Sequence, residues 1–176
     1  PVYEIKMHEL HPRVSEKFFW CDKEERPEIL NQIQNTLPDY EVNEFFFKPC
    51  GYSMNGIHLG NYETIHITPE DSCSYMSFET TDERYIKKFK EGFRIMELFR
   101  PACCSTIRVT PNTVPPDKLK EQKPSNYNAI TAATTTLGNI SVAFHSYETS
   151  EDHPMIKIAL LRQKRNAPVP VQSTIE

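Results

Sequence analysis

A chain of 176 residues with 24 acidic and 20 basic side chains mixed along its length carries a net charge of −4 and lacks the electrostatic footprint of a nucleic-acid binder. With 38% hydrophobic and 25% charged residues it has a globular profile and room for one core, and no apolar run approaches the ~20 residues that would span a membrane. Five cysteines, an odd number with no C-x-x-C pair and no signal peptide, favour a reducing compartment over a disulfide framework, so the expected location is the cytosol.

The chain opens on Pro1 rather than an initiator methionine, as a processed or truncated piece would. Residues 2–8 alternate, with Tyr3, Ile5 and Met7 on one side and Val2, Glu4 and Lys6 on the other, which predicts a strand. A helical hairpin is expected next. Val14 and Phe18 stand four apart in 12–20, and Pro27 opens a second helix whose Ile29, Ile33 and Leu37 share a face before Pro38 and Asp39 stop it.

Strands are expected at 42–48, 52–57, 62–68 and 73–80, joined by short turns such as the one at Gly60 and Asn61. Residues 82–98 read as the longest helix, capped by Asp82 and burying Ile86, Phe89, Phe93 and Met96, with Pro101 closing it. Further strands are expected at 103–110, near 127–135, at 139–147 and at 155–162, with a Pro- and Lys-rich loop over 111–125. The expected architecture is α+β, a mostly antiparallel sheet with helices on one face. It forms a single domain over residues 1–162, and a disordered tail over 163–176 follows.

The other face of that sheet has an unusual composition. Thr64, His66 and Thr68 oppose Ile65 and Ile67, while Tyr75, Ser77 and Glu79 oppose Met76 and Phe78. Such a face either meets water, as the outer side of an antiparallel sheet commonly does, or meets a second sheet that holds a ligand between the layers.

Three of the five glycines, Gly51, Gly56 and Gly60, fall within ten residues, in F-K-P-C-G-Y-S-M-N-G-I-H-L-G from Phe47 onward. They make hairpin turns and a bulge, or they bring the backbone close to a ligand. Ser53, His66 and Glu70 invite a hydrolase-triad reading, which fails on two counts. The serine lies in G-Y-S-M-N rather than G-x-S-x-G, and four residues of extended strand put His66 and Glu70 about 13 Å apart. His58 and His66 lack a third ligand at finger-like spacing, so no metal is expected, and nothing matches a P-loop or a dinucleotide fingerprint.

The stretches F-K-P-C-G-Y-S-M-N-G (47–56), Y-E-T-I-H-I-T-P-E (62–70) and S-Y-M-S-F-E-T (74–80), with a weaker likeness over Y-E-I-K-M-H-E-L-H-P (3–12), closely resemble the eukaryotic type of S-adenosylmethionine decarboxylase. From residue 83 onward the pattern is only compatible. The resemblance implies the C-terminal half of a proenzyme folded as a four-layer αββα sandwich, with the polar face turned toward the N-terminal half. It implies an enzyme that decarboxylates S-adenosylmethionine to the aminopropyl donor for spermidine and spermine. The cofactor would be a pyruvoyl group made by self-cleavage at a Glu-Ser bond, and this chain contains no Glu-Ser dipeptide. The pyruvoyl carbonyl forms a Schiff base with the substrate amino group and acts as an electron sink, so the fragment alone is expected to be inactive.

By the same resemblance, Phe47 would stack on the adenine and Glu70 would accept hydrogen bonds from the ribose hydroxyls, against the plainer alternatives of a core phenylalanine and a solvated carboxylate. Ser53 and His66 would serve self-processing, the imidazole (reference pKa about 6.5) removing a proton from the ester intermediate and the hydroxyl positioning it; otherwise they are an interstrand polar pair. Cys50 reads as structural, because the family's proton-donating cysteine lies in the other half. Glu4 and Glu79 match positions near a putrescine site in animal members, where buried carboxylates need a cation.

The expected partners are therefore S-adenosylmethionine, putrescine in some members, the N-terminal half of the same enzyme and a second copy in a homodimer. Two other readings stand beside this one. A regulatory paralogue would keep the fold and activate a catalytic partner, although retention of Ser53 and His66 leans toward the enzyme. An autonomous ligand-binding domain would be monomeric as an isolated chain, whereas a sandwich half exposes a broad sheet face and aggregates or pairs.

Overall fold

In the computed structural model of the chain, residues 1–19, 28–36, 39–70, 72–83, 89–113 and 124–157 are described. In chain order the elements are β1 (Val2–His8), α1 (Pro12–Ser15) running into a 3-10 turn (Glu16–Phe18), α2 (Glu28–Thr36), β2 (Glu41–Phe46), β3 (Tyr52–His58), β4 (Asn61–Thr68), β5 (Tyr75–Thr80), α3 (Phe89–Phe99), β6 (Cys103–Pro111), β7 (Tyr127–Leu137) and β8 (Ile140–Thr149). The eight strands form one sheet in the order β2-β3-β4-β5-β1-β6-β8-β7. Every neighbouring pair is antiparallel. The α+β architecture expected from the alternation is the one observed.

Strand alternation divides the sheet into two faces. Tyr3, Ile5 and Met7 of β1, Ile65 and Ile67 of β4, and Met76 and Phe78 of β5 are buried. They pack in one core with Phe18, with Ile29, Leu30 and Ile33 of α2, and with Phe93, Ile95, Met96 and Phe99 of α3. Phe18 joins the layers: its ring stacks on Phe99 and tilts against Tyr52 of β3, both at 5.9 Å between centroids. On the opposite face Glu4, Lys6, Thr64, His66, Ser77 and Glu79 are half-buried or exposed. No helix among the described residues is long and apolar enough to cross a membrane.

Three local expectations change. The β3–β4 turn is Leu59 and Gly60, at φ 47° and 79°, rather than Gly60 and Asn61; two positive φ values in a two-residue connection are what the right-handed twist of a hairpin selects. Residues 154–157 are helical, where a strand was expected to begin at 155; the rest of that expected strand, 158–162, lies outside the described residues. Pro154 presets φ for the first helical position and His153 Nδ1 accepts from the Met155 N–H at 3.2 Å. The sheet also has no place for that strand beside β8, which already pairs with β6 and β7. Finally, α1 is a single turn where a full helix was expected over 12–20.

α3 ends at Arg100, whose φ of 47° stops the helix before Pro101. Pro27, Leu37, Pro38, Ile86 and the tail at 163–176 lie outside the described residues.

Candidate functional site

The β3–β4 hairpin sets the central feature by register. Ser53 lies directly across from His66, both on the face away from the helices, and Ser53 Oγ stands 2.8 Å from His66 Nδ1. Two residues along β4, about 7 Å by strand geometry, Thr64 occupies the same face opposite Glu79.

The chain enters β3 through a loop drawn in close. Phe47 donates its N–H to the Gly51 carbonyl at 3.0 Å, Gly51 donates to the Phe18 carbonyl at 2.9 Å, and Cys50 bridges to Phe19. Gly51 has φ 113°, a backbone angle that L side chains rarely adopt, and a Cβ there would only make ordinary contacts with the Ile67 carbonyl and Phe47, so the backbone angle is what favours glycine. The loop places Phe47 beside the hairpin, with the residue 46% exposed.

At that end of the sheet Phe47, Cys50, Ser53, His66, Thr68 and Glu70 line an open crevice of about 260 Å³. His66 and Glu70 are exposed. The Cys50 thiol is pushed up by burial first, then by the negative charge of Glu70 and by the hydrogen bond between the two side chains. Cys50 is therefore a neutral donor to the Glu70 carboxylate and part of the crevice, a role that the reading of Cys50 as a structural residue did not include. The four residues singled out for processing and substrate binding, Ser53, His66, Phe47 and Glu70, thus share one crevice.

Glu4 and Glu79 meet elsewhere on the same face, directly opposite one another on β1 and β5. Lys6 Nζ lies 3.3 Å from Glu4 Oε1, and the Tyr62 hydroxyl donates to Glu79 Oε1 at 2.5 Å. Tyr62 is pushed up to about 12, first by that hydrogen bond, then by burial and by the charges of Glu79 and Glu4. Lys6 and Tyr62 were not singled out from sequence. The register of β1, β4 and β5 was the missing information, since Tyr62 and Glu79 belong to different strands. Among the described residues, no group of three or more His, Cys, Asp or Glu could hold a metal ion.

The comparisons with known proteins bear on this arrangement. The S-adenosylmethionine decarboxylase proenzyme of Drosophila melanogaster is 38% identical over 112 residues, covering 57% of this chain and 32% of that protein. The Dictyostelium discoideum proenzyme is 42% identical over 80 residues, covering 44% and 21%. Proenzyme 3 of Arabidopsis thaliana is 56% identical over 52 residues, covering 30% and 15%. The chain spans about a third or less of the length of these relatives. The crystal structure of the Trypanosoma brucei AdoMetDC-delta26 monomer superposes with a TM-score of 0.70 at 20% identity, covering 85% of this chain and 65% of that one, which shows a shared fold. A family model described as adenosylmethionine decarboxylase matches residues 2–148, and the chain belongs to that family.

Proposed function

We propose that this chain forms the self-processing and adenosyl-binding side of a pyruvoyl-dependent S-adenosylmethionine decarboxylase. The observation that carries the reading is the Ser53–His66 pair at 2.8 Å, lining a crevice that also contains Phe47 and Glu70. For His66 to act as a base through its outward Nε2, Nδ1 must carry the hydrogen and donate it to Ser53 Oγ. Ser53 then selects the tautomer and holds the ring plane, which is the positioning role expected of it. Phe47 offers an exposed aromatic face to the adenine, and Glu70 keeps acceptor oxygens for the ribose hydroxyls while Cys50 donates to it.

The residues present fit a pyruvoyl group arriving from the other half, because the crevice is open on the sheet face and its polar pair stands free of the helix-packed core. Such a group would supply a carbonyl that draws off electrons as carbon dioxide leaves. What this chain contributes is orientation of the adenosyl group and control of a proton at His66.

The companion layer is the N-terminal half. Support comes from three large apolar side chains left uncovered on the outer face, Phe45 at 61%, Phe47 at 46% and Ile57 at 64% exposure. The candidate putrescine site is Glu4 and Glu79, where the Lys6 ammonium already balances one carboxylate. The four described cysteines, Cys50, Cys73, Cys103 and Cys104, are free thiols, which suits the cytosol.

The test is His66→Ala in the full-length proenzyme. Loss of a positioned base slows proton transfer by about 100-fold or more, so the precursor should persist uncleaved on a denaturing gel. Cleavage at the normal rate would remove the processing role.

A further inference from the structure

Phe45 has no part in the processing or binding roles proposed above, yet it is a large apolar side chain left 61% exposed on β2. Its neighbours show the choice of face. Phe46 turns inward against Tyr52 with ring centroids 4.9 Å apart, while Phe45 turns outward, directly opposite Ser53. There it meets Phe47, with centroids 4.9 Å apart and planes at 69°. One exposed phenylalanine needs no explanation. Two in edge-to-face contact at the lip of the crevice form an oriented pair, because this geometry sets the positive edge of one ring against the negative face of the other.

The backbone of Phe47 is held by its N–H bond to the Gly51 carbonyl. A backbone bond does not set the side-chain torsions, and the Phe45 ring, in edge-to-face contact with that of Phe47, is placed to bias its tilt.

We infer that Phe45 is a positioning residue for substrate, holding the Phe47 ring at the angle that presents an open face to a purine in the crevice. The inference rests on the reading that Phe47 stacks on the adenine. The pair makes a preformed aromatic corner, so the cost of ordering the Phe47 ring is met in folding and does not recur at binding. Phe45 touches the ring that touches the ligand, and its effect should fall on affinity for the adenosyl group ahead of the chemical step.

The experiment uses the full-length proenzyme with Phe45→Ala, Phe45→Tyr, Phe45→Leu and Phe47→Ala. Completeness of self-cleavage reports folding, and 5′-methylthioadenosine, an adenosyl thioether without the amino-acid portion, probes the adenine site alone. Phe45→Ala is expected to raise the Kd for 5′-methylthioadenosine and the KM for S-adenosylmethionine by about 2- to 10-fold, the range an aromatic pair supports, with a smaller change in kcat. Tyrosine should restore both values and leucine should not.

If Phe47→Ala weakens the probe and Phe45→Ala does not, the inference fails while the stacking reading stands. If Phe47→Ala also leaves the probe unchanged, the stacking reading fails and takes the inference with it. If Phe45→Leu binds as well as Phe45→Tyr, bulk under the companion layer explains the residue and ring orientation does not. Should Phe45→Ala fail to process, the tyrosine and leucine variants decide the matter by the same comparison.

Discussion

Glu70 shows how a single side chain could be prepared for the ribose-binding role proposed for it. Its carboxylate accepts from Cys50, whose thiol stays protonated because burial and the adjacent negative charge both oppose the thiolate. One thiol donor occupies part of an acceptor that has about four lone-pair sites, which leaves acceptor capacity for the two ribose hydroxyls of the proposed role. Glu70→Gln keeps the shape and replaces one acceptor oxygen with a donor. It should weaken S-adenosylmethionine binding about tenfold, the scale of a hydrogen bond to a charged group, with a smaller effect on kcat. Calorimetric titration of the enzyme with 5′-methylthioadenosine reads this directly, and an unchanged affinity would remove the ribose assignment. The role proposed for Glu70 comes from the resemblance alone, since nothing local to T-P-E distinguishes a binding carboxylate from a solvated one. Cys50 as its donor was not legible at all, because the contact depends on the loop at 47–51 folding back over the end of β4.

At the level of strands, Glu4 and Glu79 face each other across β1 and β5, an arrangement that costs free energy unless other groups compensate. Lys6 and Tyr62 do so, from the same strand as Glu4 and from β4. The Lys6–Glu4 pair is partly exposed and contributes little by itself. The Tyr62 bond leaves a sharper signature, because its donor titrates. Its folded value of about 12 lies above the ordinary 10.0, so the bond stabilises the fold fully below about pH 10 and that contribution is lost as pH rises toward 12. Ultraviolet titration of tyrosinate should show one component near pH 12 that Tyr62→Phe removes. If the substitution removes a component titrating near 10 instead, the bond to Glu79 is absent in solution.

Over the whole molecule, one face of the sheet holds the core and the other presents the candidate site, and Phe18 ties the first to the second. It is fully buried, stacks on α3 through Phe99, and lies against Tyr52 beneath the strand that presents Ser53. Its carbonyl also accepts the Gly51 N–H that closes the crevice loop. Phe18→Ala should destabilise the fold by about 3–5 kcal/mol, measured by urea denaturation, because the surrounding rings relax only partly into the space. A loss under 1 kcal/mol would mean that the 3-10 turn is not a fixed part of the core.

Period-two alternation, a property of each strand alone, was enough to separate the inward Tyr3, Ile5, Met7, Ile65, Ile67, Met76 and Phe78 from the outward Glu4, Lys6, Thr64, His66, Ser77 and Glu79. The glycine-dense hairpin likewise announced a close backbone turn, realised at Gly51 and Gly60. The tertiary structure decided which strands are neighbours. β1 lies between β5 and β6, far from β2 in the order, and this places Glu4 against Glu79. It also placed β8 between β6 and β7, so that the helical residues 154–157 that follow do not pair beside it. The reason is that side-chain direction follows from local backbone geometry, whereas the pairing of hydrogen-bonding edges is settled by long-range competition among all the strands. The partners of Tyr62, Cys50 and Phe45 exist only once that competition is over.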